Sequence, residues 1–311
     1  MAATASSRKR SLDTSDAGSP GLRKRDWTVS IALPGSIVSN AQSRELQTHL
    51  VGVIARTACI FQIDEVVVFD DGCDAGGKRF NSCEFMARLL QYTETPQYLR
   101  KALFPRHPDL KLAGLLPPLD APHHLRSDEW FTFREGVVLD RPSAGGSIVD
   151  VGLRQSASIP QALGSAVSPN APVREQGVYW GYSVRMATSL SAALTECPWS
   201  EGYDLLLGTS ERGAERVDDG DFSLPSFKHL LIAFGGVTGL EEAAMSDSTL
   251  AAAGITDVQD AFHMYVNTCP FQGSRTIRTE EALAISLATL QPAIKTCQSA
   301  ASAPKKPRMD A

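Results

Sequence analysis

At 311 residues, with 43% hydrophobic and 7% aromatic side chains, the chain is long enough to bury one sizeable core or two smaller ones. No stretch approaches the roughly 20 consecutive apolar residues that cross a bilayer, and the polar, basic start lacks the apolar core of a signal peptide. The sequence therefore predicts a soluble protein that stays inside the cell, without a membrane partner.

The net charge of -5 is unevenly distributed along the chain. Residues 1–25 and 304–311 are net basic, which leaves about -11 on residues 26–303. We expect 1–25 and 298–311 to be disordered basic tails because they hold almost nothing apolar. Their basic clusters, at 9–25 and 304–308, are typical of nuclear import signals, which predicts import receptors as partners and a nuclear location. A solubilising charge run is the alternative.

The six cysteines are scattered, with neither a C-x-x-C pair nor a histidine at metal-ligand spacing. This pattern indicates reduced thiols, and it indicates neither a zinc site nor a disulfide framework. The adjacent pair His123 and His124 has no acidic or cysteine partner at ligand spacing, so we interpret both as loop or surface residues. No metal site is predicted.

The body of the chain alternates strand-like and helical patterns, which is typical of an α/β domain with a parallel sheet. Short apolar runs predict the strands and periodicity near 3.6 predicts the helices. The predicted strands are 27–33, 64–69, 203–207, 230–234 and 262–266, and the predicted helices are 40–60, 80–92, 184–195 and 279–291.

Residues 141–176 interrupt this pattern with Gly, Pro, Ser and Ala and few large apolar residues. We interpret them as a loop-rich insertion. It separates an N-terminal half of the α/β domain, 26–140, from a C-terminal half, 177–297.

Three of the later predicted strands run into glycine-rich or polar loops. Ligands of open α/β sheets bind at the carboxyl ends of strands, where glycine allows close backbone approach. Three such ends side by side predict one pocket, although each loop alone could be an ordinary turn. The loops are Gly208–Gly213, Gly235–Gly236 and Asn267–Arg275.

Common nucleotide and hydrolase motifs are absent from the sequence. It has no G-x-x-x-x-G-K-[ST], and Gly235–Gly239 does not fit G-x-G-x-x-G with an acidic residue about 20 positions on. It also has no G-x-S-x-G elbow. A P-loop NTPase is excluded, and a conventional Rossmann enzyme is not supported.

Several segments, taken together, resemble the eukaryotic SPOUT-domain RNA methyltransferase family. They are WTVSIALPGSIVSNAQS, YLRKALFP, LAGLLPPLDAPHHLR, FREGVVLDRP, YWGYSVRMA, YDLLLGTSERG, FGG and VNTCPFQGSRTIRTEEALAISLA. The resemblance covers about residues 26–295, and the last segment is also similar to a motif of bacterial rRNA uridine-N3 methyltransferases.

The resemblance implies an α/β fold with a SPOUT-type sheet and a C-terminal trefoil knot that binds S-adenosylmethionine. It also implies a homodimer, an RNA substrate (rRNA in particular), nucleolar residence and a possible association with the spindle or kinetochore. Carried over to this chain, the cofactor-binding residues are Thr209, Arg212, Gly213, Gly235, Gly236, Asn267, Thr268, Pro270, Gln272, Gly273, Ser274 and Thr276. The helix start near Thr279 supplies free backbone amides to the same site.

Two features depart from the family pattern. The family carries a small residue where this chain has Phe271, so a bulky ring is predicted to narrow or reshape the knot loop. The family also carries an OB-like insertion, whereas 141–176 is too short and too poor in β-branched and aromatic residues for five strands. We therefore expect a reduced, OB-like remnant.

The predicted reaction is methyl transfer to N3 of a uridine in rRNA. Arg212, Arg275 and Arg278 are the candidates to hold RNA or stabilise a developing base anion, and Glu211 is the candidate proton acceptor. The alternative for Arg278 is that it only pairs with Glu280 and Glu281. The alternative for the whole protein is a non-catalytic RNA-binding or mitotic scaffold protein that retains the fold.

Overall fold

The computed structural model describes residues 25–73, 80–140, 146–153, 157–160 and 166–301. Within them the strands are β1 (Thr28–Pro34), β2 (Glu65–Phe69), β3 (Val137–Leu139), β4 (Gly146–Asp150), β5 (Ala157–Pro160), β6 (Ser183–Ala187), β7 (Leu205–Thr209), β8 (Glu215–Arg216), β9 (His229–Phe234) and β10 (Met264–Asn267). The α-helices are α1 (Arg44–Ile60), α2 (Ser82–Glu94), α3 (Gln97–Leu103), α4 (Leu190–Thr195), α5 (Gly239–Met245), α6 (Ser248–Ala252) and α7 (Thr279–Ala301). Three 3-10 helices (Gly35–Asn40, Pro108–Leu115 and Val258–Ala261) and one π-helical turn (Pro172–Gln176) complete the set.

The predicted basic tails fall almost entirely outside the described residues. The exceptions are Arg25 and residues 298–301. The latter continue α7 to Ala301, so the last helix is longer than its apolar periodicity indicated.

A seven-stranded sheet forms the centre of a larger unit, the sheet unit, built from the described residues of 26–94, 106–119 and 181–301. Its strand order is β6-β2-β1-β9-β7-β10-β8, and every pairing between its described strands is parallel. The predicted α/β fold with a parallel sheet is confirmed. Because the strands are parallel, their carboxyl ends all lie at one edge.

Helices cover both faces of this sheet, which explains why its central strands are apolar throughout. One core packs Val67, Phe69, Leu231 and Ala233 against α4, α5 and α6. Alternate residues of the same strands are equally buried toward the other face, where α2 contacts β2 and α7 contacts β9. In the described part of the chain, no helix combines the length and apolar character needed to span a membrane.

The predicted helix 184–195 was wrong at residues 184–187, which belong to the edge strand β6, whereas Leu190–Thr195 form α4. Its register places Arg185 opposite Val67, and the Arg185 Nε donates to the buried Glu65 carboxylate on β2 at 3.0 Å. The Tyr203 hydroxyl donates to the same carboxylate at 2.5 Å. Burial alone would lower the pKa of Arg185, but its hydrogen bonds with Tyr203 and Glu65 outweigh burial and raise that pKa. This tertiary pairing overrides the local helical pattern.

A smaller unit, the insert unit, comprises the described residues of 95–105 and 120–180. Its strands β3, β4 and β5 form an antiparallel meander. The Arg134 guanidinium donates to the carbonyl oxygens of Val151 at 2.6 Å and Arg126 at 3.1 Å, and lies 5.0 Å from the Tyr98 ring centre. The unit thus extends well before the boundary at residue 140 that composition indicated.

The histidine pair lies in a loop of the insert unit, which agrees with the predicted loop or surface position, but His123 is not at the surface. That residue is fully buried, with its ring 4.4 Å from His124 and 5.8 Å from Trp180. Trp180 is 57 positions away in the sequence, so no local pattern indicated this burial.

Candidate active site

Strands β7, β9 and β10 end side by side at the carboxyl edge of the sheet. Thr209, the last residue of β7, lies opposite Phe234 at the end of β9 and Val266 near the end of β10. The loops that follow these three strands therefore begin at the same level along the strand direction. Together with the start of α7 they surround a cavity of about 280 Å³, just below the range of about 300–1,000 Å³ typical of small-molecule sites.

The structure brings most of the predicted site residues to this cavity. Those that line it are Thr209, Glu211, Arg212, Gly235, Gly236, Asn267, Thr268, Gln272 and Thr276. Those outside the lining are Gly213, Pro270, Gly273, Ser274, Arg275 and Arg278. Two further lining residues, Ser210 and Cys269, belong to the predicted pocket loops but were not named as site residues. The lining also includes residues outside those predictions: Phe234, Val237, Thr238, Gly239, Glu241, Ile277, Ala282 and Ser286.

Gly213 supports the loop after β7 instead of lining the cavity. A Cβ there would lie 2.5 Å from the backbone nitrogen of Asn267 and 2.8 Å from the carbonyl oxygen of Tyr265. Only glycine lets the 210–214 loop cross β10 at this distance. The Asn267 amide Nδ2 ties the two segments together by donating to the Glu211 carbonyl at 2.8 Å.

The adjacent glycines after β9 have different roles. A Cβ on Gly235 would lie 2.4 to 2.7 Å from backbone atoms of Gly239 and Leu240, so Gly235 is needed for the turn itself. A Cβ on Gly236 would meet nothing closer than 3.4 Å. Gly235 also accepts a hydrogen bond from the Thr279 hydroxyl at 2.9 Å, which joins this turn to the start of α7.

The loop after β10 is held by its own polar groups. Cys269 and Gln272 close a turn through a 3.1 Å backbone bond, and the Asn267 Oδ1 accepts from the Cys269 amide at 3.0 Å. The Gln272 Nε2 donates to the Ser274 carbonyl at 3.0 Å, and the Ser274 hydroxyl donates to the Thr276 carbonyl at 2.7 Å. Ser274 therefore shapes the loop from outside the cavity.

Helix α7 presents one face to the cavity through Thr279, Ala282 and Ser286. Their spacing of three and four residues is that of one helix face. Helical periodicity continued from Thr279 would have predicted the other two, Ala282 and Ser286, as lining residues. Ser286 pairs with the Thr268 hydroxyl at 2.6 Å, which fixes the loop against the helix.

The arginines near the cavity are exposed and weakly engaged. The Arg212 guanidinium is 74% exposed and lies 3.8 Å from the Glu241 carboxylate, a distance at which a surface pair contributes little. The alternative that Arg278 only pairs with glutamates was wrong: its backbone amide, not its guanidinium, donates to Glu281 at 3.1 Å. Among described residues, no ion pair engages the side chains of Arg275 or Arg278.

Burial raises the pKa of Tyr265, on β10, to about 12, so its phenol stays protonated at neutral pH. Tyr265 is 5% exposed and packs beside Phe262 in the core under the cavity. The phenol is therefore an uncharged part of this core.

Comparison with known proteins identifies the family of this chain. Residues 28–290 match the model of a family described as "Putative RNA methyltransferase". The chain belongs to this RNA methyltransferase family. The resemblance stated from the sequence is thereby confirmed, and the enzyme class with it. The family takes its methyl group from S-adenosylmethionine, the predicted cofactor.

Curated relatives resemble the methyltransferase over most of its length. The chain is 49% identical to the human 28S rRNA (uridine-N(3))-methyltransferase, over 88% of this chain and 80% of that one. It is 48% identical to the mouse protein of the same name, over 92% and 82% respectively. The protein of that name from Drosophila melanogaster is 45% identical, over 85% and 62%.

Proposed function

We propose that this methyltransferase transfers the methyl group of S-adenosylmethionine to N3 of a uridine in ribosomal RNA. The observation that carries the proposal is the cavity at the aligned ends of β7, β9 and β10 in a chain 49% identical to a 28S rRNA (uridine-N(3))-methyltransferase.

The cavity suits a ligand that combines an apolar ring with charged and polar groups. Phe234, Val237 and Ile277 supply apolar surface, while Arg212 and Glu241 supply opposite charges at the rim. Tight turns at Gly235 and at Cys269–Gln272 bring backbone groups to the cavity at close range. Bound there, S-adenosylmethionine supplies an electrophilic methyl group on a sulfonium.

We also propose that the cofactor loops form a trefoil knot. Strand β10 lies between β7 and β8, although only residues 210–214 connect those two strands. The connection therefore passes across β10, and Gly213 lies against the β10 backbone at the crossing. A chain threaded in this way is an exception to the rule that connections do not pass through loops.

The uridine N3 carries a proton that must leave when the methyl group is transferred. Glu211 is an exposed carboxylate on the cavity wall, where its main side-chain contact is a 3.3 Å bond from the Gln272 Nε2. It is thus accessible to accept that proton. Arg212, on the same wall, remains charged and can stabilise negative charge on the base carbonyls.

Arg275 and Arg278 receive a different role in this proposal. Both lie outside the cavity lining and are exposed, so they are better positioned to bind RNA phosphate than to contact the reacting base. Since N3 lies on the Watson–Crick edge, the uridine must be unpaired or flipped out to reach the cavity.

Assembly and location are further parts of the proposal. We propose a homodimer, because symmetric dimers are the commonest assembly and the family resemblance implies one. We propose nuclear, in particular nucleolar, residence on the basis of the basic clusters at 9–25 and 304–308. The small meander β3-β4-β5 is proposed as the reduced counterpart of an OB-like RNA-binding module.

The test incubates purified protein, S-adenosylmethionine and unmodified rRNA, and measures methylated nucleosides by mass spectrometry. We expect 3-methyluridine. Arg212→Ala should lower kcat about 100-fold or more while leaving cofactor affinity nearly unchanged, whereas Arg275→Ala should mainly raise KM for RNA. Formation of a different methylated nucleoside would refute the uridine acceptor but retain the enzyme class.

A further inference from the structure

Phe271 stands at the tip of the turn after β10, with 83% of its surface exposed. The turn runs from Cys269 to Gln272, whose backbone amide donates to the Cys269 carbonyl at 3.1 Å. Pro270 occupies the second turn position, where its fixed φ is favoured, and Phe271 occupies the third. Neither side chain of such a corner can fold back into the turn, so the ring is directed outward.

A single exposed phenylalanine is ordinary on a protein surface, but this ring is held in place. The guanidinium carbon of Arg216 lies 5.2 Å from the ring centre. Arg216 is in turn oriented by Asp218, which accepts from its Nε at 3.1 Å and from its terminal Nη2 at 3.0 Å. Since β8 pairs with β10 in a register that sets Arg216 opposite Asn267, the sheet itself brings the two side chains together.

The arrangement leaves an aromatic surface with little net charge beside the active site. The carboxylate of Asp218 balances the guanidinium of Arg216, and the guanidinium occupies one side of the ring. The turn neighbours Cys269 and Gln272 both line the cavity. A flat ligand lying on the open side of the ring would therefore be adjacent to whatever occupies the cavity.

We propose that the Phe271 ring, supported by Arg216, is a stacking platform for an unpaired nucleobase next to the target uridine. This inference rests on the proposed function, because a uridine presented at N3 must come from an unpaired segment whose neighbouring bases are also free to stack. Stacking on an aromatic side chain accepts any base, so the platform contributes affinity for unpaired RNA without reading its sequence. Exposed Arg275, four positions further along the same loop, is available to contact the phosphate of that strand.

The test uses a short unstructured oligouridine that contains one 2-aminopurine, whose fluorescence is quenched when it stacks on an aromatic ring. Phe271→Leu should weaken oligonucleotide binding by about 5- to 100-fold and reduce the quenching, whereas Phe271→Trp should preserve both. Arg216→Ala should weaken binding and reduce quenching less than Phe271→Leu does, because the ring remains but loses the guanidinium beside it. Because Phe271 is exposed, its variants should keep wild-type thermal stability and wild-type affinity for S-adenosylmethionine.

The outcomes separate this inference from the proposed function. Unchanged oligonucleotide affinity and quenching in Phe271→Leu would overturn the platform, even if 3-methyluridine is still formed. Loss of binding and quenching would support it even if the methylated nucleoside proved to be a different one. A change from dimer to monomer in Phe271→Leu, with RNA affinity unchanged, would instead assign the ring to an interface between copies and would likewise overturn the proposal.

Discussion

Replacing Gly235 by alanine should damage the active site through its own backbone, and Gly236 offers a matched control one residue away. Neither glycine has a positive φ, so the difference between them is one of space and not of backbone conformation. The added methyl at 235 would lie 2.4 Å from the carbonyl carbon of Gly239 and 2.5 Å from the nitrogen of Leu240. Carbon contacts are normally about 3.5–4.0 Å, so the turn must move by roughly 1 Å.

Such overpacking costs about 1–3 kcal/mol. For a folded unit of this size, each kcal/mol corresponds to roughly 2–4 °C in Tm. Moving Gly235 also strains the bond that its carbonyl accepts from Thr279, and loss of that bond is worth about 1 kcal/mol. Since both residues border the cavity, we expect affinity for S-adenosylmethionine to fall by about fivefold or more.

The assay compares Gly235→Ala with Gly236→Ala by differential scanning calorimetry and by isothermal titration with S-adenosylmethionine. Gly236→Ala should keep the wild-type Tm, because its methyl would contact Asp71 and Pro34 at ordinary distances of 3.4 and 3.6 Å. If the two variants have the same Tm and the same affinity, the packing argument at Gly235 is refuted.

Three further predictions concern stability and location. Glu65→Ala should lower the free energy of unfolding, measured by urea denaturation, by about 3–5 kcal/mol because Arg185 loses its buried partner. Glu196→Ala removes an exposed carboxylate 3.7 Å from Arg185 and should lower it by under about 1 kcal/mol, so equal losses would contradict this prediction. Although burial alone would raise the pKa of Asp247, hydrogen bonds led by the Ser191 amide lower it, so Asp247 contributes to stability above about pH 4 and loses that contribution as pH falls further. The free energy of unfolding of Asp247→Asn should therefore fall less steeply with acid than that of the wild type, and identical curves of stability against pH would argue against it. Changing the basic clusters of both tails to alanine should leave a reporter fusion in the cytoplasm, and a persistent nuclear signal would reject these import signals; the residues are Lys9, Arg10, Arg23, Lys24, Arg25, Lys305 and Lys306.

The sequence was sufficient where a signal is local and periodic. Apolar runs at 64–69 and 230–234 predicted strands, which the structure has at Glu65–Phe69 and His229–Phe234, and the alternation with helices predicted a parallel sheet. Glycine and polar residues after successive strands predicted a shared ligand site, because parallel strands end at one edge. The ordered set of motifs from 26 to 295 predicted the family.

The sequence failed where a residue's environment is supplied by distant parts of the chain. Residues 183–187 carry a pattern compatible with a helix, but the hydrogen-bonding edge of β2 and the buried Glu65 make them a strand. His123 is polar and lies in a loop, yet aromatic rings enclose it. Gly213, Gly235 and Gly236 look alike in the sequence, and only the atoms around them reveal which one tolerates a side chain.

The sequence by itself determined the class of fold, the order of most central strands and longer helices, and which strand ends form the candidate site, because these depend on side-chain periodicity and on the conformational freedom of glycine. Tertiary structure alone decided that β10 lies between β7 and β8, that Ser286 reaches the cavity, and that Phe271 lies beside Arg216. Each of these facts depends on contacts between segments far apart in the chain. The side-chain pattern of one segment does not encode such contacts, since it shows which residues are buried but not which distant segment covers them.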